Sequence, residues 1–177
     1  KDMIIPITSV TVGDTEPSYN RIWYRIGDEG YVHSGSIQPV QTHLQEPDPN
    51  IPITGALVEV TVPYTDIHWG PGKNNQFAYR FYYETTHWAK ALVQDNQGNY
   101  WYQILEDKWD LIYYAPANHL RIIPKSELSP LSPDIAPSEK RIAVRLRDQP
   151  AIAFEKDKPV FMARVASGAE FSNGRFL

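Results

Sequence analysis

Trp69 lies in the run Trp69-Gly70-Pro71-Gly72, and Tyr82, Tyr83, His87 and Trp88 follow close together. Aromatic faces of this kind stack on sugar rings and anchor extended peptides in grooves. With Tyr64, which opens the same Pro- and Gly-rich stretch, these are the candidate binding residues. The competing reading is structural, because small β-folds use Tyr and Trp as core and as cross-strand pairs. Period-two spacing puts Tyr79, Phe81 and Tyr83 on one face, which favours core there. For Trp69, the neighbouring Pro63, Gly70, Pro71 and Gly72 oppose burial by strand alternation, so its indole is expected to stay partly exposed. The five histidines, His33, His43, His68, His87 and His119, include no pair with His-X-X-X-His spacing and read as solvated or capping groups, so no metal site is expected. Glu106, Asp107 and Asp110 could form a carboxylate set but fit a solvated turn. Arg141, Arg145 and Arg147 could touch an anionic polymer, or simply form the solvent side of a strand. No cofactor is expected.

The chain has no cysteine, which excludes disulfides and thiolate metal ligands within it. Its net charge is −4, and no Lys/Arg cluster exceeds a short surface pattern. Nucleic acid is therefore not expected as the main partner. No apolar run is long enough to span a membrane. The first residue is Lys1 rather than Met, and any signal peptide is expected upstream. Five Trp, eleven Tyr and fifteen Pro, with few helix-period segments, point to an all-β chain rich in turns.

Alternation supplies the elements that must position these residues. Ile22, Tyr24 and Ile26 share one face of a strand and Arg21, Trp23 and Arg25 the other. The run Gly27–Gly30 turns the chain into Tyr31–His33, and Ile37–Val40 closes the unit. Val58, Val60 and Val62 mark a second strand face, 64–73 reads as a loop, and Tyr79 and Phe81 mark a third. Segments 87–94 and 100–105 form a hairpin around Asp95-Asn96-Gln97-Gly98-Asn99. The order strand, turn, strand, short 3₁₀ break, closing strand occurs twice, weakly at 23–40 and more fully over 56–123. Pro124–Ser138 carries four prolines and reads as a stiff interdomain spacer. Beyond it, Ile142, Val144 and Leu146, then 151–154 and 160–165, predict a three-stranded meander that buries too little to be stable alone.

The fuller repeat resembles bacterial SH3-like barrels, in which a 3₁₀ turn precedes the last strand. The run from Lys140-Arg141-Ile142 through Gln149 and Glu155 to Val165-Ala166-Ser167-Gly168 resembles the first strands of the L,D-transpeptidase (YkuD-type) catalytic domain. The ordered set Trp23-Tyr24-Arg25, Gly30–Ser34, Ile37–Val40, Val60–Thr65, Tyr79–Tyr83, Trp101-Tyr102, Leu120-Arg121 and Glu127–Pro133 is similar to the multidomain members, in which an SH3-like region precedes catalysis. The resemblance implies four segments: a lead-in over 1–18, an SH3-like β region over 19–123 (single or tandem), a linker over 124–138, and the N-terminal fragment of a catalytic domain over 139–177.

The resemblance also implies a function. Members of the family cross-link peptidoglycan: a cysteine thiolate attacks a stem tetrapeptide, expels the terminal D-alanine, and an amine of a second stem resolves the thioester. No residue of that Ser/Thr-His-Gly-Cys-X-Asn-type motif is present here. The chain is expected to be inactive alone and to serve wall binding or spacing in an exported, extracytoplasmic protein of the bacterial envelope, with peptidoglycan glycan or stem peptide as partner. The alternative is a non-catalytic SH3-like envelope protein carrying a decayed catalytic remnant.

Overall fold

The computed structural model describes residues 2–14, 20–130, 132–146 and 150–165. The protein is all-β, and the helical segments among these residues are single 3₁₀ turns of three or four residues. The chain divides into two units, Lys1–Glu127 and Leu128–Leu177.

The first unit opens with a three-stranded antiparallel sheet of β1 (Ser9–Val12), β2 (Ile22–Arg25) and β3 (Tyr31–His33). Part of the expected lead-in is thus a strand, with Val10 opposite Tyr24 and Val12 opposite Ile22. A 3₁₀ turn at Ser34–Ser36 follows β3. The closing strand expected at 37–40 does not form, and the segment is unpaired there. Pro39 has no N–H to give a ladder, which disfavours pairing. The weak first repeat is therefore a hairpin with a 3₁₀ turn, not a second barrel.

Seven strands make the main sheet: β4 (Ala56–Val60), β5 (Tyr64–His68), β6 (Phe77–Tyr82), β7 (Thr86–Gln94), β8 (Tyr100–Glu106), β9 (Leu111–Pro116) and β10 (Leu120–Ile122). Their order is β10-β4-β7-β8-β9-β5-β6. Only Thr61, Val62 and Pro63 join β4 to β5, yet three strands lie between them in that order. A flat sheet would set the two about 19 Å apart, whereas so short a link reaches about 13 Å. The sheet must therefore coil, and the corner is held by Val60 N–H to Thr85 O (3.0 Å), Glu84 N–H to Val60 O (2.9 Å) and Tyr83 N–H to Pro63 O (3.1 Å).

Coiling folds one face inward around Val58, Val60, Val62, Ile67, Phe81, Tyr102, Ile104 and Leu120. The valine face read from the sequence is thus the core. The expected barrel, however, is not closed: β10 pairs with β4 alone, and no ladder joins it to β6. Strand β10 is three residues long, and Pro124, which lacks an N–H, stops its extension soon after.

Segment 64–73 is not wholly loop. Thr65 and Ile67 are buried in β5, opposite Phe81 and Tyr79 of β6, and a bulge at Ile67/His68 turns His68 inward as well. The flanking Pro63 and Gly70 obscured a strand whose inward positions are a threonine and an isoleucine. The 3₁₀ turn Ala117–His119 stands before β10, as the second repeat predicts.

The second unit contains the meander β11 (Lys140–Val144), β12 (Pro150–Glu155) and β13 (Lys158–Arg164), with Ile142 opposite Ala153 and Ala153 opposite Phe161. Lys156 (φ 47°) and Asp157 (φ 63°) make its second turn in the left-handed region, as a two-residue hairpin loop requires. Opposed residues share a face, so Ile142, Val144 and Phe161 lie together, and all three are exposed. The segment read as a spacer is fastened at both ends. Within the first unit, Glu127 pairs with Arg121; within the second, the Ser132 hydroxyl donates to Glu155 and Lys140 Nζ donates to Ser132 O. Arg147, Gln149 and Gly168 lie outside the described residues.

Candidate functional site

Three loops of the first unit converge on one cleft. The first is the β7–β8 turn. Asp95 Oδ1 accepts the backbone N–H groups of Gln97 (2.8 Å) and Asn99 (2.9 Å), and its Oδ2 accepts from Trp101 Nε1 (3.0 Å) and Asn99 Nδ2 (3.0 Å). Gly98, at φ +83°, supplies the left-handed residue this turn needs. With these donors around it, the Asp95 carboxyl is held down at about 2, the Asn99 side chain contributing most.

The second loop joins β5 to β6. Trp69 N–H to Gln76 O (3.0 Å) and Asn75 N–H to Gly72 O (3.1 Å) close it, and the Asn75 amide donates to Pro71 O (2.7 Å). Gly72 (φ +114°) lies close against Asp95: a β-carbon there would come 3.5 Å from Asp95 Cβ, so the two loops pack. The next residue, Lys73, reaches the cleft.

The third is the 3₁₀ turn before β10, which presents Asn118 and His119. The ring Nδ1 of His119 lies 2.7 Å from the buried Thr65 hydroxyl. Burial, and then the charge of Lys73, lower the His119 pKa, so the ring is neutral near pH 7. The resulting cleft has a volume of about 540 Å³ and is lined by Lys73, Asp95, Asn99, Tyr100, Asn118 and His119, with Pro47 and Pro116 among its apolar walls. It combines a cation, amide groups, a neutral imidazole and a half-exposed tyrosine ring, a composition suited to a polar ligand with a small apolar part.

The residues singled out in the sequence lie elsewhere and are brought together only in pairs, Tyr64 with Tyr82 and His87 with Trp88. Trp69 is 46% exposed, as its loop predicts, and its ring packs against Tyr113 at 4.7 Å with the planes tilted by 51°. It opens a run of rings, Trp69–Tyr113–Tyr79–Phe81–His87, that passes through the core. Burial among these groups pushes Tyr79 up to about 12. His87 lies flat on Phe81 and is lowered to about 4 by burial, so it belongs to the packing. Trp88 donates its indole N–H to Thr54 O (3.1 Å) and, with His87, borders a shallow groove beside Glu106.

Tyr64 carries the Arg80 guanidinium on its ring at 3.9 Å, and the Tyr82 hydroxyl donates to Asp2. Both border a second, more apolar groove of about 840 Å³, formed with the N-terminal segment and residues 37–42. Tyr83 stands at a separate hollow near Arg121 and Glu59. Asp107 and Asp110 are exposed in the turn before β9, the solvated turn expected there. Arg141 lies over Phe154 (3.8 Å) and pairs with Asp157.

The cleft itself is not legible in the sequence. The hairpin turn and the 3₁₀ break are, but Lys73, Asp95 and His119 are joined only by the coiling of the sheet. The paired signal was present as two Gly-containing turns and a 3₁₀ turn, each at the end of a strand.

Comparison with known protein families, with curated proteins and with solved structures yields no match in any of the three. Among the described residues, no helix is long and apolar enough to cross a membrane.

Proposed function

We propose that this chain is the N-terminal portion of an exported L,D-transpeptidase of the bacterial cell envelope, and that Lys1–Glu127 binds peptidoglycan through the cleft at Lys73, Tyr100 and His119. The observation that carries the binding reading is that cleft: three loops, each fixed by its own hydrogen bonds, surround a space of ligand size lined by polar side chains and a half-exposed aromatic ring. The absence of cysteine assigns binding and positioning to these residues, not acyl transfer. The second unit supports the family reading. A meander with Ile142, Val144 and Phe161 exposed on one face and Met162 on the other is what the opening strands of a larger sheet domain would present.

Co-sedimentation with purified sacculi tests the proposal. The full chain should pellet with sacculi, and Tyr100→Ala should reduce the bound fraction several-fold with an unchanged thermal midpoint. Trp69→Ala is the comparison. A loss confined to Trp69→Ala would move the contact to the Trp69–Tyr113 edge, and no pelleting above a blank would end the wall-binding reading.

A further inference from the structure

We infer that the cleft recognises the free carboxylate of a short peptide, held by Lys73, Asn118 and His119; the peptidoglycan form of this ligand rests on the wall-binding reading above. Three observations define the donor set. Lys73 is exposed and, among the described residues, has no hydrogen-bond or ion-pair partner. Asp95, the ionised carboxylate of the cleft, makes no ion pair with it, and its two oxygens accept bonds from Gln97, Asn99 and Trp101 instead. The Thr65 hydroxyl is 1% exposed and has the His119 ring as its hydrogen-bond partner. A buried hydroxyl donates where it can, so Thr65 donates to Nδ1, and the imidazole proton then sits on Nε2. Asn118 adds an exposed amide on the same turn.

An ammonium, an imidazole N–H and an amide N–H call for an anionic acceptor. One cation, with the ionised Asp95 on the same cleft, suits a monoanion better than a phosphate, which generally draws on arginine or several cations. Pro47, Tyr100 and Pro116 offer apolar walls for the side chain next to that carboxylate. The combination is that of a peptide C-terminus.

The test is amide NMR of the ¹⁵N-labelled full chain titrated with a stem tetrapeptide, its C-terminal amide, and acetyl-Ala-Ala. The acid should shift resonances at 73, 95–101 and 117–119, with the amide binding at least tenfold more weakly. Lys73→Gln should lose a similar factor for the acid and nothing for the amide. Equal binding of acid and amide, shifts outside these loops, or no binding of any of the three peptides would overturn the carboxylate inference. If sacculi still pellet the protein in that case, the wall-binding reading stands without it. If acetyl-Ala-Ala binds through Lys73 while sacculi do not pellet the protein, the carboxylate site stands and the wall-binding reading falls.

Discussion

His87 should make the first unit sensitive to acid well above the range in which carboxylates titrate. Its ring lies on Phe81 with centroids 3.3 Å apart, and burial lowers it from 6.5 to about 4. A depression of that size corresponds to about 3 kcal/mol of preference for the neutral form. The ring is only partly enclosed, so solvent screening reduces this to about 1–2 kcal/mol. The folded state binds the proton less tightly than the unfolded chain does. Stability is therefore full above about pH 6.5 and falls as the pH drops toward 4.

Urea unfolding at pH 7 and pH 4.5, followed by tryptophan fluorescence, reads this directly, because all five tryptophans lie in the first unit. His87→Phe keeps a ring against Phe81 and removes the titration. The Thr85 hydroxyl, which contacts His87 Nε2 at 2.9 Å, also donates to Tyr82 O and stays satisfied. His119, lowered in the same direction, remains in both proteins and cancels in the comparison. Asp95 and Glu127 are depressed carboxylates whose contributions are lost as the pH falls through their ordinary values and below, and they too remain in both proteins and cancel. Between pH 7 and 4.5 the wild type should lose about 1–2 kcal/mol more than His87→Phe. Equal losses, or an NMR titration of the His87 ring near 6.5, would refute the reasoning.

Trp101 is 2% exposed and also holds Asp95, so Trp101→Ala should cost about 3–5 kcal/mol. Trp69→Ala, which removes a half-exposed ring, should cost about 1 kcal/mol by the same urea assay. Limited proteolysis should cut first between residues 128 and 137, where no ladder protects the backbone of the described residues, and release Lys1–Glu127 intact; a first cut in the β7–β8 hairpin would contradict that boundary.

The parts that were legible in the sequence share one cause, which is local periodicity. Val58, Val60 and Val62 alternate on a strand whose inner side is buried, and Asp95 to Asn99 carries its turn chemistry within five residues. The three-stranded meander was legible for the same reason. What was not legible depends on long-range geometry. Strand β5 shows its neighbours Pro63 and Gly70 more plainly than its own two inward residues, because Thr65 is polar and earns burial only through His119, 54 residues away. The candidate aromatics lie close in sequence, but Tyr82 and His87 flank a turn, and the coil sends Tyr82 to the N-terminal groove and His87 onto Phe81 at the edge of the core.

The cleft follows from the same geometry in reverse. The short corner Thr61–Pro63 forces the sheet to coil, and coiling gathers the ends of β5, β7 and β9 at one edge. A side chain at such an edge need not be aromatic or belong to a motif to be placed for binding. Lys73 is an ordinary exposed lysine by sequence, and what sets it apart is that the nearby carboxylate is already committed to holding its own turn. The Lys73 ammonium is thus left without a direct partner by the way Asp95 folds its loop, and the same bonds that hold that loop leave Lys73 available to a ligand.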